Sequence, residues 1–191
     1  MLRTMTRGPY LLDADIRELG GIASAAELLD LGYTRDALRL WGDGRRSRRL
    51  RRGWYGLRDL PEEVVAAWAA GGSLACISAL EMAARRERLG DPESPAARAP
   101  APAARAPAAR APAARVDRAA LHICVPTTAA RIPRTAAMYG RTVPIIVHWS
   151  TADFRAGTRA SVTSTTAERQ VRRCERRAPQ AQGGGSRVTD P

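Results

Sequence analysis

The stretch Ser24-Ala-Ala-Glu27-Leu-Leu-Asp-Leu-Gly32-Tyr-Thr34-Arg35-Asp-Ala-Leu-Arg39-Leu-Trp41 decides the reading of this chain. Ser24 stands three residues before Glu27, the reciprocal pair in which each side chain satisfies one orphan amide at a helix start. A helix is therefore predicted from Ala25, with Ala26, Leu28 and Leu29 on its apolar face. Gly32 lies where a left-handed residue is wanted just past the helix end. Only Gly32, Tyr33 and Thr34 then remain before a segment from Arg35 to about Trp41, for which Thr34 is a suitable N-cap. Two helices joined by so short a turn read as a helix-turn-helix. Ala37, Leu38 and Trp41 are expected to pack inward, while Arg35 and Arg39, four residues apart, share an outward face.

Upstream, Leu12, Ile16 and Leu19 recur at helical spacing and predict a helix over 12–19, ended by Gly20 and Gly21. Downstream, Gly42 to Gly44 break the third helix, and six arginines then fill eight positions: Arg45, Arg46, Arg48, Arg49, Arg51 and Arg52. The aromatic and leucine positions around Gly53 predict a two-stranded hairpin with Leu50 and Tyr55 or Trp54 packed onto the helices. Residues 1–60 thus read as a winged helix-turn-helix, and the chain as an α+β protein.

Residues 61–90 read as a helical pair. Pro61 suits a first helical position, Glu62 and Glu63 suit the first turn, and Gly71 ends the helix. Ser73 is the expected cap of a fifth helix running on to Leu89. Val64 to Leu80 is uncharged for seventeen residues, but Gly71, Gly72 and Ser73 interrupt it, so two buried helices are expected rather than a membrane span. Over 91–115 the unit Ala-Pro-Ala-Ala-Arg occurs three times, ending at Arg105, Arg110 and Arg115; a proline every five residues forbids a continuous helix and marks a linker. Within 116–150, Ala120–Val125 and Val143–Trp149 read as strands that pair with each other. Residues 151–191 lose apolar periodicity and read as a disordered tail.

The formal charge is +12 and all 31 basic residues are arginines, so a polyanionic partner is indicated wherever they cluster. The absence of lysine suggests a GC-rich coding sequence, which leaves position to decide which arginines matter. Arg35 and Arg39 are the candidates for reading bases, since a guanidinium can reach guanine O6 and N7 with two hydrogen bonds. Thr34 joins them in the expected DNA-contacting set, and Thr34, Asp36 and Asp43 can orient them or cap the helix. The arginines from Arg45 to Arg52 are expected to hold phosphates of double-stranded DNA. The bland alternative is a solvated charged hairpin, but six like charges so close together repel one another without an anionic partner.

Cys76, Cys124 and Cys174 are far apart and odd in number, which fits neither a disulfide framework nor a paired zinc motif and points to a reducing, cytoplasmic setting. His122 and Cys124 alternate onto one face of a strand, with His148 on the expected neighbour. Only three ligands then converge, so strand-core positions are expected for them, with no metal and no other cofactor. Nucleophile elbows, phosphate loops with lysine and paired metal-binding histidines are all missing from the sequence, Ser78 and Ser150 have no evident base, and Asp153 and Glu168 are isolated; catalysis is not expected. The N-terminus has no apolar run of secretory length, and neither export nor a membrane partner is expected.

The segments Gly-Gly-Ile-Ala-Ser-Ala-Ala-Glu-Leu-Leu, Gly-Tyr-Thr-Arg-Asp-Ala-Leu and Arg-Arg-Gly-Trp-Tyr-Gly-Leu within Gly20–Leu57 resemble the antitoxin domain of AbiEi-type proteins from type IV toxin-antitoxin systems. A looser likeness continues through Ser73–Leu80 and the two strands, covering about Leu12 to Ser150 with the alanine-proline repeat as an insertion. The resemblance implies a transcriptional regulator that binds operator DNA, represses its own operon and is paired with a nucleotidyltransferase-like toxin. Many similar chains carry a nuclease-like domain beyond the second strand; the residues after Ser150 do not read as that continuation, as in a truncated or frameshifted form. Two other readings stay open: a protein-interaction module, and a degenerate fragment of a winged-helix and nuclease fusion without activity.

Overall fold

A computed structural model of the chain describes residues 7–41, 47–90 and 116–177, with the side chain of Trp41 outside that description. The expectations for Arg45 and Arg46, for the repeat at 91–115 and for the tail beyond 177 lie outside the described residues. The architecture is mixed α+β, with two sheets and seven helices among the described residues.

Helix α1 spans Pro9–Glu18 and begins three residues before the predicted start, because Pro9 presets the helical φ in the first turn. Leu12 and Ile16 are buried as expected, and Asp15 is buried with them. That carboxylate is satisfied: it accepts a hydrogen bond of 2.6 Å from the Tyr33 hydroxyl and is paired with Arg7. A short strand β1, Ile22–Ser24, leads into α2, Ala25–Asp30. The Ser24 hydroxyl accepts from the Glu27 amide at 3.2 Å, and the Glu27 carboxylate accepts from the Ser24 amide at 2.8 Å, the reciprocal cap read in the sequence. Leu28 is buried and Leu29 half-buried, whereas Ala26 is exposed and Ala25 packs in its place. Gly32 has φ +99°, and the Thr34 hydroxyl accepts from the Ala37 amide at 3.1 Å to start α3, Arg35–Trp41.

Strands β2, Ser47–Arg51, and β3, Trp54–Leu57, form the expected hairpin, turning through Gly53 at φ +76°. β3 is central, flanked by antiparallel β1 and β2. A register shift between Arg49 and Arg51 gives β2 one extra residue. A bulge of this kind breaks the simple alternation of faces. Leu50 is buried, and the next residue, Arg51, also turns inward.

The second sheet has the order β4-β5-β7-β6 and carries helices α4, α5 and α6, with α7 packed on α5. Helix α4, Glu62–Ala70, starts just after Pro61 and ends at Gly71, whose φ of +114° is the left-handed stop. Ser73 and Leu74 then form strand β4 rather than the predicted helix cap. The reason is non-local: a Cβ on Gly72 would sit well inside contact distance of the Cys124 carbonyl oxygen, so the glycine lets this segment lie against β5, Leu121–Val125. Helix α5 consequently begins at Cys76 and ends at Arg88. β5 pairs with β7, Arg141–Trp149, in parallel, Leu121 opposite Ile145 through Val125 opposite Trp149, which confirms the expected pairing. Strand β6, Thr135–Met138, joins β7 through Tyr139 and Gly140, both at positive φ as a tight hairpin turn requires.

The expectation of a disordered region from 151 is corrected over 151–177, which forms α6, Thr151–Ala156, and α7, Ser164–Arg177. Helix α7 buries Thr166, Ala167, Gln170 and Val171 against α5. Residues 61–90, 116–150 and 151–177 therefore share one core, built on Val64, Trp68, Ile77, Leu121, Ile123 and Val171. Among the described residues no helix is long and apolar enough to cross a membrane.

Both halves meet at two tryptophans. The Trp54 and Trp68 rings lie 4.4 Å apart, and the Trp68 indole donates to the Arg159 carbonyl at 2.6 Å. Arg159 sits over Trp54 and makes a two-point ion pair with Glu27, so the cap of α2 is held from the second half of the chain. Burial raises the Glu27 carboxyl, but its bonds from Arg159 and Ser24 outweigh that and leave it below its ordinary value of 4.5.

Gly72→Ala is expected to cost about 3 kcal/mol, since neither backbone segment can yield without breaking the β4–β5 pair, and a urea midpoint measures it. Glu27→Gln keeps a capping side chain but loses the ion pair, and is expected to lose about 1–2 kcal/mol near neutral pH. Because the folded-state pKa lies below the unfolded one, that advantage is fully present above the ordinary glutamate value and disappears as pH falls through the folded value. Thermal unfolding of both chains against pH should show their melting temperatures converging in acid.

Candidate functional site

Helix α3 presents Arg35 and Arg39 to solvent, because the buried Ala37 and Leu38 fix which way it faces. Arg39 lies 3.9 Å from Asp36, and with both side chains over four-fifths exposed this pair is weak enough to yield to an anionic ligand. Thr34 is spent on the cap of α3, although it remains exposed at the same end of the helix.

The hairpin divides its arginines. Arg49 and Arg52 are exposed. Arg48 instead reaches back to the carbonyls of Arg58 and Leu60, each at 3.4 Å, and so ties the strand to the loop that follows the hairpin. Arg51 lies over the rings of Trp54 and Trp68 at 5.6 and 5.4 Å, and burial lowers its pKa from the ordinary value. Arg48 and Arg51, expected with the others to reach phosphates, are half-buried and engaged within the fold. The bulge is the cause for Arg51, and nothing in the local pattern of alternating residues announces it. Further exposed arginines occur on α7, where Arg172, Arg173, Arg176 and Arg177 were hidden from sequence reasoning by the reading of this segment as tail.

A second constellation lies in the other half. Four ligand-type side chains converge from four elements: Cys76 at the start of α5, His122 in β5, His148 in β7 and Cys174 near the end of α7. One ligand atom from each lies within 4.8 Å of all the others. The His122 Nδ1 is 3.3 Å from His148 Nε2, the two sulfurs are 3.8 Å apart, and Cys174 Sγ is 3.9 Å from His148 Nε2. Of the three strand residues weighed together from the sequence, His122, Cys124 and His148, only the two histidines belong to this cluster. Cys124 shares their sheet face, but its thiol is directed to the Ser150 carbonyl at 3.6 Å, and the two distant cysteines take its place.

Burial governs the protonation of this group. It lowers the His122 pKa, and with the neighbouring His122 it pushes His148 down to about 4, so both rings are neutral at physiological pH. Burial, with Cys174 alongside, pushes the Cys76 thiol up to about 12. The His122 Nε2 lies 3.0 Å from the Asp117 carbonyl; a carbonyl only accepts, so Nε2 carries the proton and the Nδ1 lone pair faces the cluster.

A cleft of about 330 Å³ runs between Arg51, Gly71, Pro126 and Arg131–Pro133. Its lining holds alanines, prolines and two arginines, with neither a nucleophile nor a general base. Comparisons with models of known families, with curated proteins and with solved structures give no match for this chain.

Proposed function

We propose that the chain is a DNA-binding transcriptional regulator whose first 60 residues act as a winged helix-turn-helix. The observation that carries this reading is the exposed pair Arg35 and Arg39, on a helix fixed by the Gly32 turn and the Thr34 cap and followed by a hairpin with Arg49 and Arg52 outward. A helix presented in this way can enter a major groove, and a basic hairpin beside it can hold the flanking phosphates. In this reading Arg35 and Arg39 read bases, Arg49 and Arg52 hold phosphates together with Arg45 and Arg46, and Arg48 and Arg51 support the hairpin. The resemblance to AbiEi-type antitoxin domains extends the reading to repression of the chain's own operon and to a nucleotidyltransferase-like toxin as partner.

The test is fluorescence anisotropy with duplexes from the region upstream of the gene and with scrambled duplexes, over a salt series. Four phosphate-bound arginines give a log-log salt slope of about −3.6 per chain, and Arg49→Ala with Arg52→Ala should bring it down by about 1.8. Arg35→Ala or Arg39→Ala should cost about 1–3 kcal/mol of the preference for the upstream duplex. Arg51→Ala should lower the melting temperature while leaving the salt slope in place. A slope near zero for the unaltered chain overturns the proposal.

A further inference from the structure

We propose that Cys76, His122, His148 and Cys174 form a structural zinc site that clamps α5, β5, β7 and α7 together. Two thiolates and two imidazoles are a closed tetrahedral ligand set for this ion, and soft sulfur with nitrogen donors disfavours magnesium or calcium. The distances fit the ion. With Zn–S of about 2.3 Å and Zn–N of about 2.0–2.1 Å, a tetrahedron needs edges of roughly 3.8 Å between sulfurs, 3.3 Å between nitrogens and 3.6 Å between sulfur and nitrogen. Of the six separations here, the two sulfurs are 3.8 Å apart, the two ring nitrogens 3.3 Å, and Cys174 Sγ lies 3.9 Å from His148 Nε2, with all four atoms within 4.8 Å of one another.

The surroundings orient the donors as a metal site requires. The Asp117 carbonyl holds the His122 Nε2 proton and turns the Nδ1 lone pair inward, the usual outer-shell partner of a ligating histidine. Gln170, one helical turn before Cys174, accepts from the Cys76 amide at 3.0 Å and so fixes the start of α5 beside α7. Cys76 itself is held at φ +50°, a conformation that costs a non-glycine residue energy and that its surroundings must enforce.

Two plainer accounts fit less well. A disulfide needs sulfurs about 2.05 Å apart and would leave the facing imidazoles without a role. A simple polar core would set two weakly bonding thiols against two rings, whereas one cation engages all four atoms. Binding replaces the two thiol protons with Zn²⁺, so two protons leave per ion and the site carries no net charge, which suits its burial. All four ligands are protein groups, leaving no coordination position open, so the role is to hold the fold rather than to activate water. The inference stands apart from the DNA-binding reading and needs none of it.

The test is metal analysis of the full chain, expressed in cells and purified without chelator. One zinc per chain is expected, and exchange for cobalt should give the intense visible bands of a tetrahedral site with thiolate-to-cobalt charge transfer. Cys174→Ser and His148→Asn should each lose most of the zinc, while Cys124→Ala, outside the cluster, should keep one equivalent. If the two cluster variants fail to fold, the cobalt spectrum of the unaltered chain still decides. A folded chain without zinc that shows no tetrahedral cobalt spectrum overturns the proposal, as does a Cys76–Cys174 disulfide found by mass in chain isolated under reducing conditions.

Discussion

The tilted contact of Trp54 with Trp68 is the point on which the two halves of the molecule depend. It joins the last strand of the first sheet to the first helix of the second core, and each ring is braced by an arginine. Arg51 comes from the bulged strand and Arg159 from the loop before α7, so elements far apart in sequence converge on one apolar contact. Arg159 then carries the constraint onward to Glu27 at the start of α2. The orientation of the exposed helix α3 is thereby linked, through α2 and its short turn, to the larger core.

This arrangement explains why an arginine-rich hairpin does not spend all its charge on solvent. A guanidinium is weakly hydrated and planar, so it can lie on an indole face at less cost than an ammonium group. The chain contains no lysine, and its hairpin uses the one cation in both ways: flat against tryptophan at Arg51, extended into water at Arg49 and Arg52.

The local signals were legible. The reciprocal cap of Ser24 and Glu27, the left-handed Gly32 and the Thr34 cap all follow from near-neighbour chemistry, and each is present in the structure, as is the pairing of the two later apolar strands. What escaped depends on contacts across the chain. Ser73 looks like a helix cap until Gly72 is seen against the Cys124 carbonyl, and Arg51 looks like a surface residue until the bulge turns it. Helix α7 is strongly two-sided but has few large apolar residues, and part of its buried face is the polar Thr166 and Gln170, so its narrow apolar stripe is masked by a background of arginine. The four-residue cluster was invisible for the same reason, since two of its members lie in segments read as helix interior and as tail.

The alanine-proline repeat falls between α5 and β5, two elements that already touch. β4 pairs with β5, and the Cys76 amide reaches Gln170 across 94 residues of sequence. Closing a longer loop costs only a logarithmic increment in entropy, so the length of the segment between 90 and 116 is nearly free to drift. The same layout makes the molecule a natural fragment pair. A chain severed within that segment would yield two pieces, each holding part of one shared interior.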